Sequence, residues 1–264
     1  MNRRNFLGTT LGASALAAIS APQTLRGAES ASAQEYYELR VYRLAPDSDG
    51  ALLHSYLEKA LIPGLNRIGI KPVGVFSEIE PKDGVAVYVL IPYATLDTFA
   101  SVNARLEADS AYQKAGAEYL GSPKSHPAFT RIESSLMLAF AGLPKMDLPV
   151  WSREKRPRIF ELRTYESHSE QKAAKKVEMF NAGEVEIMRD VGLGPIFFGQ
   201  TLVGSSLPHL VYMVSGENRE DHKKHWGGFG AHPIWNKLKN DPQYADTVSK
   251  IQNVFLAPAA YSQI

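Results

Sequence analysis

The chain of 264 residues carries 29 Lys and Arg against 28 Asp and Glu, is 44% hydrophobic and has no cysteine. A charge balance this close to neutral leaves no electrostatic footprint for nucleic acid. Without cysteine there are no disulfides, no thiolate nucleophile and no iron–sulfur ligation.

The first segment reads as an address. Met1-Asn2-Arg3-Arg4 puts a twin arginine ahead of a mildly apolar stretch from Leu11 to Ala21, and Ala31-Ser32-Ala33 then offers a small-residue cleavage site. Charged, apolar and small-residue regions in that order predict a twin-arginine export signal over residues 1–33 and a periplasmic or secreted protein. The apolar stretch falls short of the roughly 20 residues a bilayer needs, so no transmembrane span is expected. Without Arg3, Arg4, Arg26 and Glu29, 26 basic and 27 acidic residues remain.

Beyond residue 33 the chain repeats itself. Tyr37-Glu38-Leu39-Arg40-Val41-Tyr42 returns 123 positions later as Phe160-Glu161-Leu162-Arg163-Thr164-Tyr165, and Gly69 and Pro72 return as Gly192 and Pro195. Val87-Tyr88-Val89 matches Val211-Tyr212-Met213 at an offset of 124. A repeat this long is a duplicated domain, not a solenoid unit. Domains are expected at 36–140 and 158–264. The proline-bearing stretch 141–157 between them, with its charged Arg153-Glu154-Lys155-Arg156 run, reads as a solvated linker.

Each copy opens with a strand-period segment, 36–43 and 159–166. Helix-period stripes follow at 50–68 and 170–191. Gly69 and Gly192 stand just past them, where a helix C-cap favours positive φ, and Pro63 is expected to kink the first helix. Paired strands are predicted at 72–78 with 84–91, and at 195–203 with 207–215. Helical regions at 95–120 and 218–240 precede last strands at 131–140 and 250–257. The order β-α-β-β-α-β is ferredoxin-like. One sheet face stays open in such a unit, so the expected fold is α+β: two tandem domains packed sheet to sheet as a pseudo-dimeric α/β barrel. A higher oligomer is compatible with this internal pseudo-dimer.

Period 2 sorts Tyr37, Leu39 and Val41 from Glu38, Arg40 and Tyr42. If the apolar set packs under the helices, the polar set faces the partner repeat, and Glu161, Arg163 and Tyr165 do likewise. A carboxylate, a guanidinium and a phenol in a semi-enclosed space either pair with one another, cross-linking the sheets, or bind an anionic or carbonyl-bearing ligand. The six residues are therefore ligand-binding candidates for a small molecule held between the sheets.

The strand motif Tyr-Glu-Leu-Arg-x-Tyr, the helix ending at Gly69 or Gly192 and the later aromatic-rich helix resemble the NIPSNAP family, as two tandem copies over nearly all of the mature chain. In the second helical region copy one has Ala111-Tyr112 where copy two has Ile234-Trp235. The resemblance implies a dimeric α/β barrel, a fold group that holds small monooxygenases, haem-handling enzymes, isomerases and domains without known chemistry. It implies a fold and no single activity.

Copy two alone carries His222, His225 and His232, roughly aligned with Thr98, Ser101 and Asp109. His222 and His225 share a helix face at i, i+3, which admits metal or haem ligation, although the spacing matches no established metal motif. His232 before Pro233 suits a helix start. No cofactor is predicted on these grounds. No Gly-x-Ser-x-Gly elbow occurs, Glu184 and Glu186 read as solvent-facing, and Trp226, Phe229 and Trp235 read as core, so catalytic residues remain unassigned. Three functions follow: an exported small-molecule binder with or without turnover, a non-catalytic structural or interaction module, and a metal- or haem-dependent enzyme using the copy-two histidines.

Overall fold

The computed structural model describes residues 33–264 apart from Asp47, Lys82 and Asp83, so the twin-arginine segment lies outside the described residues. Domain 1 runs β1 (Tyr36–Arg43), α1 (Ala51–Tyr56), α2 (Ile62–Arg67), β2 (Gly74–Glu78), β3 (Ala86–Tyr93), α3 (Leu96–Glu107), α4 (Ser110–Leu120) and β4 (Arg131–Ala139). A one-turn helix α5 (Val150–Arg153) lies in the connection. Domain 2 runs β5 (Ile159–Glu166), α6 (Glu170–Met179), α7 (Val185–Asp190), β6 (Gly194–Val203), β7 (His209–Gly216), α8 (Arg219–Ala231), α9 (Pro233–Leu238) and β8 (Lys250–Pro258).

The eight strands close into one antiparallel barrel in the order β1-β3-β2-β8-β5-β7-β6-β4. The two sheets meet at their edges as well as their faces. β2 pairs with β8, and β4 pairs with β6. Closure of this kind removes every free sheet edge, the usual route to unwanted strand pairing. Each domain's last strand also runs on into the other's territory. Ala259 and Gln263 donate backbone N–H groups to Val75 and Val73 at 2.9 and 3.0 Å, while Asp147 donates to Ile196 at 3.0 Å. The connection is thus only partly a solvated spacer. Its charged run is exposed, but Met146 and Leu148 pack against the barrel core and the Trp151 indole donates to Ser215 Oγ at 2.9 Å.

Both helix layers contain a feature that period reading missed. Between α1 and α2, residues 57–61 form a π-helical turn just ahead of Pro63; between α6 and α7, residues 180–184 do the same. The wider turn accommodates Pro63, whose ring and missing N–H disturb a regular helix. Copy two makes the turn with no proline, so the turn belongs to the duplicated architecture. Such insertions mark functional positions more often than chance. Gly69 and Gly192 take φ of 85° and 84°, the cap conformation expected of them.

The barrel interior is packed with apolar side chains, among them Tyr37, Leu39, Phe76, Phe160, Leu162 and Phe197. Tyr42 belongs instead to the core under the domain 1 helices, and Tyr165 to the core under the domain 2 helices. The face assignment made from the sequence is therefore inverted. The apolar set of β1 and β5 points into the barrel, and the Glu-Arg-Tyr set points to the helices. Alternation sorts residues into two faces but cannot say which face is drier, and here both are buried.

Register corrects a second reading. Arg40 lies opposite Val89, and Arg163 lies opposite Tyr212. The partner of Tyr212 in domain 1 is thus Val89, at the same offset of 123, and not Tyr88. A slip of one residue moves a side chain through the sheet. Tyr88 sits inside the barrel, whereas Tyr212 sits under the helices. Along α3 and α8, whose N-caps Thr95 and Asn218 are also 123 apart, the counterpart of His222 is Phe99 and not Thr98.

Candidate functional site

The same Glu–Arg pair occurs in both domains, with different surroundings. In domain 1, Arg40 grips Glu38 with two bonds, Nε to Oε1 at 2.6 Å and Nη2 to Oε2 at 2.9 Å. The Tyr93 and Ser134 hydroxyls donate to the same carboxylate, each at 2.8 Å. Burial opposes the charged carboxylate, but the guanidinium and hydroxyl donors outweigh it and hold Glu38 below the usual carboxylate range. Around them the space between sheet and helices is filled by rings. Tyr56 stacks on Tyr119 at 3.8 Å, and its hydroxyl meets that of Tyr112 at 2.8 Å.

In domain 2 the carboxylate has more partners and the guanidinium fewer. Glu161 accepts from Arg163 Nη1 at 2.6 Å, His222 Nε2 at 2.9 Å, Trp226 Nε1 at 2.7 Å and Asn253 Nδ2 at 3.0 Å. His222 and Trp226 lie one turn apart on α8, and Asn253 comes from neighbouring β8, where Ser134 stands on β4 in domain 1. Burial alone would raise the Glu161 carboxyl; these donors, with the charge of Arg163, hold it at about 2. Because α8 satisfies the carboxylate, Arg163 makes one bond to it. Its Nη2 reaches the Tyr165 hydroxyl at 3.2 Å, its plane lies 4.7 Å from the Trp226 ring, and its buried Nε finds no partner among the described residues.

Arg163 opens onto a cavity of about 580 Å³ between the sheet and the domain 2 helices. Tyr165, Tyr212, Trp226, Phe229 and Trp235 supply its aromatic walls, and the Tyr165 and Tyr212 hydroxyls meet at 3.0 Å. A volume of this size suits a small organic molecule. Lys176 and Glu184 also line it, as a buried ion pair at 2.5 Å. Glu184 was expected at the solvent face. Four residues from both Phe180 and Met188, it lies on the buried stripe at 3% exposure, where burial pushes its carboxyl up, while Glu186 stays outside and pairs with Arg189. The missed signal was a mismatch between copies, since Lys176 and Glu184 stand where domain 1 has the core residues Leu53 and Leu61.

The six residues proposed from the strand motif thus form two separate clusters, Glu38-Arg40-Tyr42 and Glu161-Arg163-Tyr165, one under each helix layer; Arg163 and Tyr165 of the second line the cavity. The three histidines do not converge. His222 is bound to Glu161, His225 sits against Gly192, and His232 caps α9 by accepting from Ile234 N–H at 3.3 Å. Among the described residues no three His, Asp or Glu side chains are grouped to hold a metal. None of the described helices is long and apolar enough to cross a membrane.

Comparisons with known proteins agree with this architecture. No match is found among the curated proteins. Among solved structures, a candidate monooxygenase from Fusobacterium nucleatum is 10% identical and superposes with a TM-score of 0.53, over 86% of this chain and 93% of its own. Another candidate monooxygenase, from Lactobacillus acidophilus, is 10% identical with a TM-score of 0.56, over 85% of this chain and 94% of its own. At these identities the likeness is one of fold alone. A NIPSNAP-like domain protein from Burkholderia xenovorans is 24% identical with a TM-score of 0.36, over 40% of this chain and 90% of its own. The NIPSNAP family model matches twice, at residues 37–142 and 160–263. The chain belongs to the NIPSNAP family.

Proposed function

We propose that this protein binds a small molecule in the domain 2 cavity, between sheet and helices, and that domain 1 is the scaffold that completes the barrel. One observation carries the reading. The Glu–Arg pair is joined by two bonds in domain 1 and by one in domain 2, where the guanidinium lines an aromatic cavity. A ligand oxygen at the exposed part of that guanidinium would gain a charge-assisted hydrogen bond of about 1.5–3 kcal/mol. Turnover at the same cavity is the finer form of this reading. Its Tyr165–Tyr212 hydroxyl pair and the Lys176–Glu184 pair are groups able to hold or move a proton beside a bound ligand. The test is a thermal-shift screen of small carboxylates, phenols and carbonyl compounds. At least one should raise the melting temperature of the wild-type protein, and a screen with no hit across these classes contradicts the reading.

Export by the twin-arginine route is part of the proposal and rests on Arg3-Arg4 with the Ala/Gly/Ser-rich stretch behind them. Replacing both arginines by lysine should hold the precursor in the cytoplasm, because the route's receptor reads the pair. Undiminished export of that variant contradicts it.

A further inference from the structure

The Lys176–Glu184 pair is unexpected on energetic grounds. Lys176 is 4% exposed and Glu184 3%, and moving two charges out of water costs more than their attraction commonly returns. The fold does not require them. In the duplicate domain the same two positions are Leu53 and Leu61, 0% and 1% exposed and packed in the core, the first in α1 and the second closing the same π-helical turn. Domain 1 is thus an internal control for the apolar solution, and domain 2 departs from it where the cavity is.

The surroundings show what the pair is placed to do. The Lys176 ammonium lies 4.6 Å from the Phe180 ring, 5.6 Å from Trp235 and 5.8 Å from Tyr165. Of its three N–H groups, Glu184 takes one and the Met179 sulfur, at 3.4 Å, takes a second. Arg163 stands on the same Tyr165 ring, 5.5 Å from its centre, with Nε unpartnered. Two cations therefore flank one tyrosine in one cavity, Lys176 with a third N–H to give and Arg163 with the exposed part of its guanidinium. The charged side chains lining that cavity are Arg163, Lys176 and Lys239 against Glu184 and Asp246; Glu161, which balances Arg163 at 2.6 Å, is not part of the lining. The walls are flat rings, with Phe229 4.9 Å from Trp235 and 5.4 Å from Trp226.

We infer that Lys176, held in place by Glu184, is a second ligand-contacting group of this cavity, and that the ligand is a planar aromatic anion whose acidic oxygens lie between Arg163 and Lys176. The inference rests on the pocket reading above and narrows it to one ligand class. Aromatic faces on the walls select a flat ring. Paired cationic donors select the oxygens of a carboxylate or phenolate.

The test uses the full chain with 2-naphthoate, naphthalene-2-methanol and octanoate as probes, followed by quenching of tryptophan emission. 2-Naphthoate should bind saturably and at least about tenfold more tightly than either of the others, the size of one charge-assisted contact. The double variant Lys176→Leu with Glu184→Leu reproduces the domain 1 arrangement. It should melt no more than about 4 °C below wild type and lose about tenfold in 2-naphthoate affinity, while its affinity for the alcohol holds within about twofold. A double variant that binds 2-naphthoate like wild type, or that melts more than about 10 °C lower, assigns the pair to the scaffold and overturns the inference. Octanoate binding as tightly as 2-naphthoate overturns the aromatic class, and the alcohol doing so overturns the anionic one; either leaves the pocket reading standing. Silence from all three probes overturns this inference, and the pocket reading falls with it only where the thermal-shift screen is also without a hit.

Discussion

Replacing Arg40 and Arg163 by methionine, one at a time, should give opposite phenotypes from the same substitution in the same motif. Arg40→Met removes the cation bonded to Glu38 and leaves that buried carboxylate, among the described residues, with two neutral hydroxyl donors, Tyr93 and Ser134. Stranding a buried charge costs about 3–5 kcal/mol, which in a chain of this length lowers the melting temperature by roughly 10 °C. Ligand binding should survive in whatever fraction stays folded. Arg163→Met leaves Glu161 with three N–H donors from His222, Trp226 and Asn253, so the melting loss should be less than half as large. Binding of the strongest hit from the thermal-shift screen should fall by about tenfold or more, because a hydrogen bond to a charged group contributes about 1.5–3 kcal/mol. Thermal melts paired with titration calorimetry read both quantities. Equal melting losses with binding intact in both variants would place the two arginines in the same structural role.

The second large effect concerns the barrel. Domain 1 expressed alone, residues 34–145, loses the partner for its whole inner face, where Tyr37, Leu39, Phe76 and Leu90 are buried, and exposes β2 and β4 as free edges. Monomeric proteins rarely leave an apolar patch of that size uncovered, and unpaired edges invite strand addition. The fragment should form a symmetric dimer that rebuilds the barrel from two copies of itself, or aggregate. Light scattering across a dilution series distinguishes these states from a monomer. A monodisperse, folded monomer at micromolar concentration would show that the closed barrel is not what stabilises the domain.

How much of this was legible beforehand depended on the residue. The duplication, the strand at 36–43 and its echo at 159–166, the order of elements and the glycine caps followed from periodicity and turn chemistry, and the barrel followed from each copy having one open face. The orientation of Glu38 and Glu161 did not. The apolar-inward rule presumes that one face is wet, and these strands have a dry face on both sides. The offset of 124 at Tyr88 and Tyr212 illustrates the same weakness, since a match of letters passed over a change of face that only strand register reveals. Glu184 lies on the buried stripe by spacing, four residues from both Phe180 and Met188, and its charge alone argued for the solvent face. His222 was singled out correctly as asymmetric, but for a ligand role, whereas it serves to satisfy Glu161 and so frees Arg163. The domain 2 cavity itself was legible only as a disparity between copies, with Leu53, Leu61 and Tyr112 against Lys176, Glu184 and Trp235.

The placement of the site can be read from three indole resonances. The chain has three tryptophans: Trp226 and Trp235 line the cavity, and Trp151 packs in the connection between domains. In an ¹⁵N–¹H spectrum titrated with the strongest thermal-shift hit, the Trp226 and Trp235 indole N–H peaks should move in a saturable manner with a common dissociation constant, while the Trp151 peak stays in place. A ligand that raises the melting temperature yet leaves Trp226 and Trp235 unmoved would contradict a binding site between the sheet and helices of domain 2.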